Sequence, residues 1–433
     1  MRFIHTADLH LGNKMHDVNR EEEYIAFFQW LTEILTKQEA ETLVISGDVY
    51  DTINPPLESR KIFNQFLAGL LGTDCKNVII VGGNHDSGAL LDSNKDLMEA
   101  LNIHIVGSIS NRQVSDIVFP LYDKEDQLNG ICVAVPFLKE SDLRRFYTKK
   151  EDDEQEKADD SDQAYGVLYE QALDIAKAMR GSKNVPIIAT GHLYAADLEG
   201  RYAQLENGEK PDDGVRVIDV LGNLGSVHVG AFPADYDYVA LGHIHYHTKV
   251  AGNPKVRYSG SPFVMGFDES YIPRQVLFVE CEEGKETAVE PMEVPSNYKY
   301  RTFTGDADTL KQQLKELEKS AKEEEQVYIE VRYRLEHSGQ VNRMIQEIEL
   351  PENMQIVSTK IIRNTNSHQT SLGNRTMREM RELDPKEIFE SFILSKLFSD
   401  GDDDKKQEQL DKYMPYFMGA YAEVMGGAGD EDC

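Results

Sequence analysis

The sequence predicts an α/β fold built on a parallel sheet, with strands later in the chain forming a second sheet packed on the first. Three observations carry that prediction. Short apolar runs recur along the chain, and five of them stop at Asp, Asn or His. Strand-like runs, loops and helical stripes alternate through the first hundred residues, the pattern of parallel βαβ units. From Val227 onward the chain is mostly strand-like.

Taken in order, Arg2-Phe3-Ile4-His5-Thr6 is the first strand and runs into Ala7-Asp8-Leu9-His10. A helix is expected over 17–37, where Tyr24, Phe27, Phe28, Leu31 and Leu35 make one apolar stripe and Trp30 packs in the same helix. The second strand, Thr42-Leu43-Val44-Ile45-Ser46, ends in Gly47-Asp48-Val49-Tyr50-Asp51. Pro55-Pro56 opens the next helix, with Ile62, Phe63, Phe66, Leu67 and Leu70 facing inward. Val78-Ile79-Ile80-Val81 is apolar throughout, as expected of a strand buried on both faces. It stops at Gly82-Gly83-Asn84-His85-Asp86, where paired glycines let the backbone turn sharply and approach a ligand. A helix over about 90–101 and a strand at Ile103-His104-Ile105-Val106 follow, then hairpin-like strands over 116–121 and 131–137. After an acidic insertion over 149–162, a helix is expected over 164–179. Two more runs end in site-type residues: Val185-Pro186-Ile187-Ile188-Ala189-Thr190 at Gly191-His192, and Tyr238-Val239-Ala240-Leu241 at Gly242-His243-Ile244-His245. Strands at 256–262 and 275–279 are assigned to the second sheet.

Beyond Glu282-Glu283-Gly284 the pattern becomes that of a small α/β domain. It has a helix striped by Leu310, Leu314 and Leu317, a strand at Val327–Val331, a helix striped by Val341, Ile345 and Ile348, and an extended stretch over 355–362. Residues 363–382 are polar and read as a linker. Two amphipathic helices follow, one with Ile388, Phe389, Phe392, Ile393 and Leu397, the other with Leu410, Met414, Phe417 and Tyr421. The domains expected are thus 1–283 for the catalytic core, 284–363 for the cap, 364–384 for the linker and 385–433 for helices that dock on a partner, the alternative being that they fold back onto the body.

A chain of 433 residues exceeds the ~250–300 that one core usually serves. Its formal charge of −30 argues against gripping a polyanion with the whole surface. Much of that charge is local: eight acidic residues lie between Glu151 and Asp162, and more in the last thirty-odd positions. Four scattered cysteines without a CxxC pair fit ordinary thiols of a reducing compartment. With no apolar leader and no run of about 18 apolar residues, a soluble cytoplasmic protein is expected, without membrane contact.

Five strand ends bearing Asp, Asn or His can meet at one sheet edge and build a metal site. A single Asp or His at such a place is ordinarily a cap; five together point to chemistry. Asp8, His10, Asp48, Asn84, His192, His243 and His245 have the identity and placement to hold two ions, and their mixture of carboxylate, amide and imidazole suits manganese, iron or zinc better than calcium. Asp48 is the expected bridge, with Asp8, His10 and His245 on one ion and Asn84, His192 and His243 on the other. His85, beside a ligand but not needed as one, is the expected proton donor to a leaving alkoxide, and Asp51 its orienting partner.

Asp8-x-His10, Gly47-Asp48-x-x-Asp51, Gly83-Asn84-His85-Asp86, Gly191-His192 and Gly242-His243-x-His245 together resemble the calcineurin-like metallophosphoesterases over about residues 1–280. The resemblance implies a two-sheet αββα core with a dinuclear site. The longer stretches His5–Gly12, Gly47–Thr52, Ala189–Leu193, Ala240–His245 and Tyr258–Pro262 are similar to the family of nuclease subunits of bacterial SbcCD complexes, a likeness spanning nearly the whole chain. That implies a nuclease with two Mn²⁺, acting as a double-strand 3′–5′ exonuclease from DNA ends and a single-strand endonuclease that opens hairpins, in repair, recombination and replication. It also implies a homodimer within a heterotetramer, its partner an SMC-like ATPase whose coiled coil receives the C-terminal helices. In related archaeal repair nucleases a histidine often stands at the position of Asp51, so the pairing of His85 with Asp51 is inferred from the residues. The competing readings are a phosphodiesterase of the same core acting on a nucleotide or other small phosphoester, and a non-catalytic scaffold. Arg144, Arg145, Lys149 and Lys150 are the one candidate basic patch for DNA, and weak DNA binding by the isolated chain is expected.

Overall fold

The first three apolar runs fold as β1 (Arg2–Thr6), β2 (Thr42–Ser46) and β3 (Asn77–Val81), parallel neighbours buried along almost their whole length. The computed structural model describes residues 1–16, 18–146, 157–195, 227–282, 285–322, 324–362 and 414, with the side chains of 157–161 left aside. Because strand side chains alternate between faces, each run serves two cores. Ile4, Leu43, Ile45, Val78 and Ile80 face α1 (Glu21–Lys37) and α2 (Leu57–Leu70), packing with Phe27, Phe28, Leu31, Phe63 and Phe66. Phe3, Val44, Ile79 and Val81 face the opposite way, into a core shared with a second sheet.

β4 (Ile103–Val106) completes one edge of the first sheet in parallel. At the other edge the prediction is corrected: β11 (Gln275–Glu280) pairs antiparallel with β1, and β12 (Ala288–Glu293) pairs with β11, so the 275–279 strand belongs to the first sheet rather than the second. The second sheet has the order β5-β6-β7-β8-β10-β9, from β5 (Val118–Tyr122), β6 (Leu128–Val135), β7 (Ile187–His192), β8 (Tyr238–Gly242), β9 (Thr248–Val250) and β10 (Asn253–Tyr258). β5 and β6 form the expected antiparallel pair. α3 (Lys157–Arg180) covers this sheet with Tyr165, Leu168, Tyr169, Ala172 and Ala176, giving the expected α/β/β/α layering. The helix expected over 90–101 is broken into Gly88–Leu91, a 3₁₀ turn at Asp92–Asn94, and Lys95–Glu99. At the break the Asp92 carboxylate accepts from the N–H of Gly107 and from Arg112, tying this turn to the chain beyond β4.

Polar contacts cross the two sheets. His5 Nδ1 lies 3.0 Å from the Tyr238 hydroxyl and Ser46 Oγ 2.8 Å from Thr190 Oγ1. Burial pushes the His5 imidazole down to about 3, so it is neutral and takes part as a hydrogen-bonding group.

A further sheet, β13-β14-β15, is made of β13 (Tyr298–Thr304), β14 (Gln326–Arg334) and β15 (Met354–Ile362), with α4 (Ala307–Ser320) burying Leu310 and Leu314. Asp306 caps α4 by accepting from the N–H of Thr309. Tyr300 and Tyr328 of this sheet pack with Met15, Val18 and Phe267. Tyr333–Val341 and Ile361–Cys433 form a separate unit, whose described part is the end of β14, a turn at Leu335–His337, the start of the helix Ser338–Glu347, and Ile361, Ile362 and Met414. The linker, both C-terminal helices apart from Met414, and most of the acidic insertion lie outside the described residues.

Candidate metal centre

The carboxyl ends of β1, β2 and β3 meet those of β7 and β8. The expectation of one sheet edge is corrected here: three strands come from the first sheet and two from the second, so the site sits where the two edges converge. The loops after β1 and β2 continue the ladder, with Asp8 N donating to Gly47 O at 3.0 Å and His10 N to Asp48 O at 2.9 Å. Asp86 ties the third loop to the second, its carboxylate accepting from the N–H groups of Val49, Tyr50 and Gly83. Gly83 is required by close approach: a Cβ there would run into the Asp48 side chain and backbone nitrogen. Asp8, His10, Asp48 and His243 all have positive φ, at 54°, 43°, 49° and 104°. Non-glycine residues held there cost about 1–3 kcal/mol each, strain that the surrounding fold must impose and that concentrates at functional sites.

All seven predicted ligands are brought together. His10 Nε2 and His245 Nε2 face each other at 3.2 Å. Asp8, His10 and His245 present ligand atoms within 4.8 Å of one another, as do Asp8, Asp48 and His192. Asp48 Oδ2 stands between the groups, 3.5 Å from His10 Nε2 and 3.3 Å from His192 Nε2. Asn84 Oδ1 lies 3.0 Å from both His192 Nε2 and His243 Nδ1. The donor set fits divalent metal: two imidazole nitrogens aimed at each other need a cation or a proton between them, and Asp8 Oδ2 is buried without a hydrogen-bond partner among the described residues. Two ligands about 2.1 Å from one ion, some 100° apart, are themselves about 3.2 Å apart.

The electrostatics point the same way. Burial raises the Asp8 carboxyl above its usual range. Burial acts upward on Asp48 as well, but the imidazoles of His192, His10 and His85 outweigh it and hold the carboxylate ionised. Burial would lower His192, yet Asp48 and Asp8 bring it up to about 9. His243, buried beside His192, is pushed down to about 3. The two buried carboxylates draw positive charge to the floor of the site, while Asn84 and His85 stand exposed at its rim. His192 Nδ1 lies 2.9 Å from Ser46 O, an acceptor only, so Nδ1 carries a proton and Nε2 is the nitrogen turned toward Asp48 and Asn84.

His85 and Asp51 meet differently from the expectation. His85 Nδ1 lies 2.9 Å from the main-chain carbonyl of Asp51, not its carboxylate. That carbonyl fixes the tautomer and leaves Nε2 toward the open pocket. The Asp51 carboxylate instead lies 3.2 Å from His10 Nδ1, a close but poorly aligned contact, and accepts from Asn13 Nδ2 at 3.0 Å. Sequence reasoning missed Glu269 and Arg274. Glu269 Oε1 stands 3.9 Å from His245 Nδ1, and its other oxygen takes the Arg274 guanidinium at 2.9 Å. Arg274 also donates to the carbonyls of His245 and Glu269. Of the candidate basic patch, Arg145 is spent on the carbonyls of Ile109 and Arg112, Arg144 pairs with Glu140, and Lys149 and Lys150 lie outside the described residues.

The calcineurin-like phosphoesterase model matches residues 1–247, and the type 5 capsule protein repressor C-terminal domain matches residues 299–396. The D component of the nuclease SbcCD of Escherichia coli (strain K12) is 30% identical over 390 residues, covering 90% of this chain and 92% of that protein. The proteins of the same name from Rhodobacter capsulatus and Bacillus subtilis (strain 168) are 28% and 29% identical, each over 66% of this chain and over 67% and 68% of their own lengths. A β-glucosidase from Exiguobacterium marinum overlays 83% of this chain and 86% of its own with a TM-score of only 0.18 at 10% identity. No helix among the described residues is long and apolar enough to cross a membrane.

Proposed function

The chain belongs to the calcineurin-like phosphoesterases and, within them, to the family of SbcCD nuclease subunits; from that premise we propose that it is a manganese-dependent DNA nuclease subunit, cutting duplex ends and hairpins together with an SMC-like ATPase. The observation that carries this reading is the facing pair His10 Nε2 and His245 Nε2 beside the buried, unpartnered Asp8 oxygen. Asp8, His10 and His245 would hold one ion and Asn84, His192 and His243 the other, with Asp48 shared. Two such ions supply Lewis-acid activation of a water and neutralise charge on the phosphoryl oxygens.

The chain's own residues do the rest. Ser46 and Glu269 orient the imidazoles of His192 and His245 from behind. The strained loops hold Asp8, His10, Asp48 and His243 in place before substrate arrives, so little reorganisation is left for the reaction. As the water oxygen bonds to phosphorus and the bond to the leaving oxygen breaks, His85 gives its Nε2 proton to that oxygen while the Asp51 carbonyl keeps hold of Nδ1–H, and the proton released by the attacking water passes to solvent, from which the exposed His85 takes one up again. His85 is exposed at the pocket mouth, where a bulky phosphodiester can reach it.

The division into core 1–283, cap 284–363, linker 364–384 and docking helices 385–433 is part of this reading, as is a homodimer within the complex. A net charge of −30 leaves the isolated chain a weak binder of DNA, so the partner must supply much of the grip. An end-labelled, hairpin-capped duplex incubated with manganese, with and without ATPase and ATP, tests the proposal. Hairpin opening that needs manganese and is stimulated by the ATPase is expected. Intact DNA alongside hydrolysis of a small phosphodiester would transfer the site to the small-molecule reading, and no hydrolysis of either would favour the scaffold.

A further inference from the structure

Arg20 is buried, with 2% of its surface exposed, yet it is no metal ligand and carries out no step of the reaction described. Its Nε donates to Glu23 Oε2 at 2.7 Å and its Nη1 to Asn13 Oδ1 at 3.2 Å, and its guanidinium lies 5.7–5.9 Å from the ring centres of Tyr24, Phe263 and Tyr300. Asn13 passes the contact on. Its Nδ2 donates to Asp51 Oδ1 at 3.0 Å, its N–H donates to the His10 carbonyl, and its own carbonyl accepts from the Tyr24 hydroxyl. At the other end Glu23 Oε2 accepts from the Tyr300 hydroxyl at 3.2 Å, on the first strand of the three-stranded sheet. An unbroken hydrogen-bonded chain thus runs Tyr300–Glu23–Arg20–Asn13–Asp51 and stops against His10 and His85.

Stability alone gives a poor account of it. A buried ion pair recovers little beyond its desolvation cost, and an apolar replacement of similar volume is often as stable. One nitrogen of Arg20, Nη2, even remains buried without a partner among the described residues. What the chain does achieve is direction. An amide between a guanidinium and a carboxylate has only one productive orientation, oxygen toward Arg20 and NH₂ toward Asp51.

We propose that Asn13 and Arg20 are positioning residues: they hold the Asp51 carboxylate against His10, and with it the Asp51 carbonyl against His85, and they tie that geometry to Tyr300 in the cap. The inference rests on the roles given above to His10, Asp51 and His85.

Asn13→Asp is the discriminating variant. The new carboxylate would pair better with Arg20, so a purely structural role predicts a fold as stable as before and unchanged turnover. The positioning role predicts repulsion of Asp51. In the full-length chain with manganese and an aryl phosphodiester, kcat should fall about tenfold or more, the range of losses on removing outer-shell partners, with KM within about twofold and Tm retained. Asn13→Ala should add almost nothing to the loss already caused by Asp51→Ala, because both cut the same chain. Tyr300→Phe, which keeps its ring, should lower kcat by a smaller factor and keeps the test decisive should Asn13→Asp not fold. Wild-type kcat in Asn13→Asp or, if that variant is unfolded, in Tyr300→Phe would overturn the proposal, as would a fully multiplicative loss in the Asn13→Ala, Asp51→Ala double variant. Asp48→Asn run alongside separates the failures. Activity that survives Asp48→Asn refutes the site itself; activity lost there but intact in Asn13→Asp refutes only the positioning chain.

Discussion

Replacing Glu269 puts the outer support of the proposed metal centre to the test. Its side chain is 16% exposed and stands between His245 Nδ1, 3.9 Å away, and the Arg274 guanidinium, 2.9 Å away and 7% exposed. Glu269→Ala removes the group that orients His245 and leaves Arg274, among the described residues, with the carbonyls of His245 and Glu269 and the face of the Tyr246 ring. Breaking a buried pair from one side costs about 3–5 kcal/mol, and those two carbonyls bring the expected loss toward the lower end, about 3 kcal/mol. Glu269→Gln keeps an acceptor oxygen and loses only the charge, so about 1–1.5 kcal/mol is expected, the gap between charged and neutral hydrogen bonds. Manganese affinity should follow the same order, falling about tenfold in Gln and up to about a hundredfold in Ala, as for other outer-shell partners of metal-bound histidines. Calorimetric titration of the metal-free chain with manganese, together with urea unfolding, measures both quantities. Wild-type manganese affinity in Glu269→Ala would refute the reasoning, because His245 would then need no partner behind it.

His85→Ala should leave manganese binding unchanged, by the same titration, and lower kcat on DNA by about 10²–10⁴-fold, the usual worth of a general acid. Stripping the metal with a chelator should destabilise the chain, since each ion held at a hundred times its Kd contributes about 2.7 kcal/mol; scanning calorimetry should show a lower Tm that recovers on adding manganese. Glu330, whose side chain is buried between Arg332 and Lys360, has its carboxyl held below the usual range: burial works upward, but the Lys360 and Arg332 contacts outweigh it. Its stabilisation is therefore present above the unfolded-state value and lost as pH falls through the folded one, so Glu330→Gln should lessen the acid-side loss of Tm.

The sequence carried the site further than it carried the topology. The endings of β1, β2, β3, β7 and β8 were readable because a buried apolar run that stops at Asp, Asn or His breaks a simple pattern. Which sheet each strand joins was not readable: Gln275–Glu280 has the same apolar character whether it extends the second sheet or pairs antiparallel with β1. β13 was missed because Tyr298–Thr304 mixes lysine and arginine with its aromatics, and burial of Tyr300 depends on Arg20 and Phe267, far off in the chain. The same distance hid Glu269 and Arg274 behind His245. The nearness of His85 to Asp51 was readable but the kind of contact was not: residue spacing brings Asp51 near, and only the backbone path decides that its carbonyl, not its carboxylate, faces the ring. The positive φ angles at Asp8, His10, Asp48 and His243 left no mark on residue choice, since no glycine stands at those positions.

The central claim is a pair of manganese ions sharing Asp48. Anomalous diffraction at the manganese edge, on crystals of the full chain grown with the metal, tests it most directly. Two peaks about 3.5–4 Å apart are predicted, one among Asp8, His10 and His245 and the other among Asn84, His192 and His243, with Asp48 between them. A single peak, or manganese bound away from these residues, would contradict it.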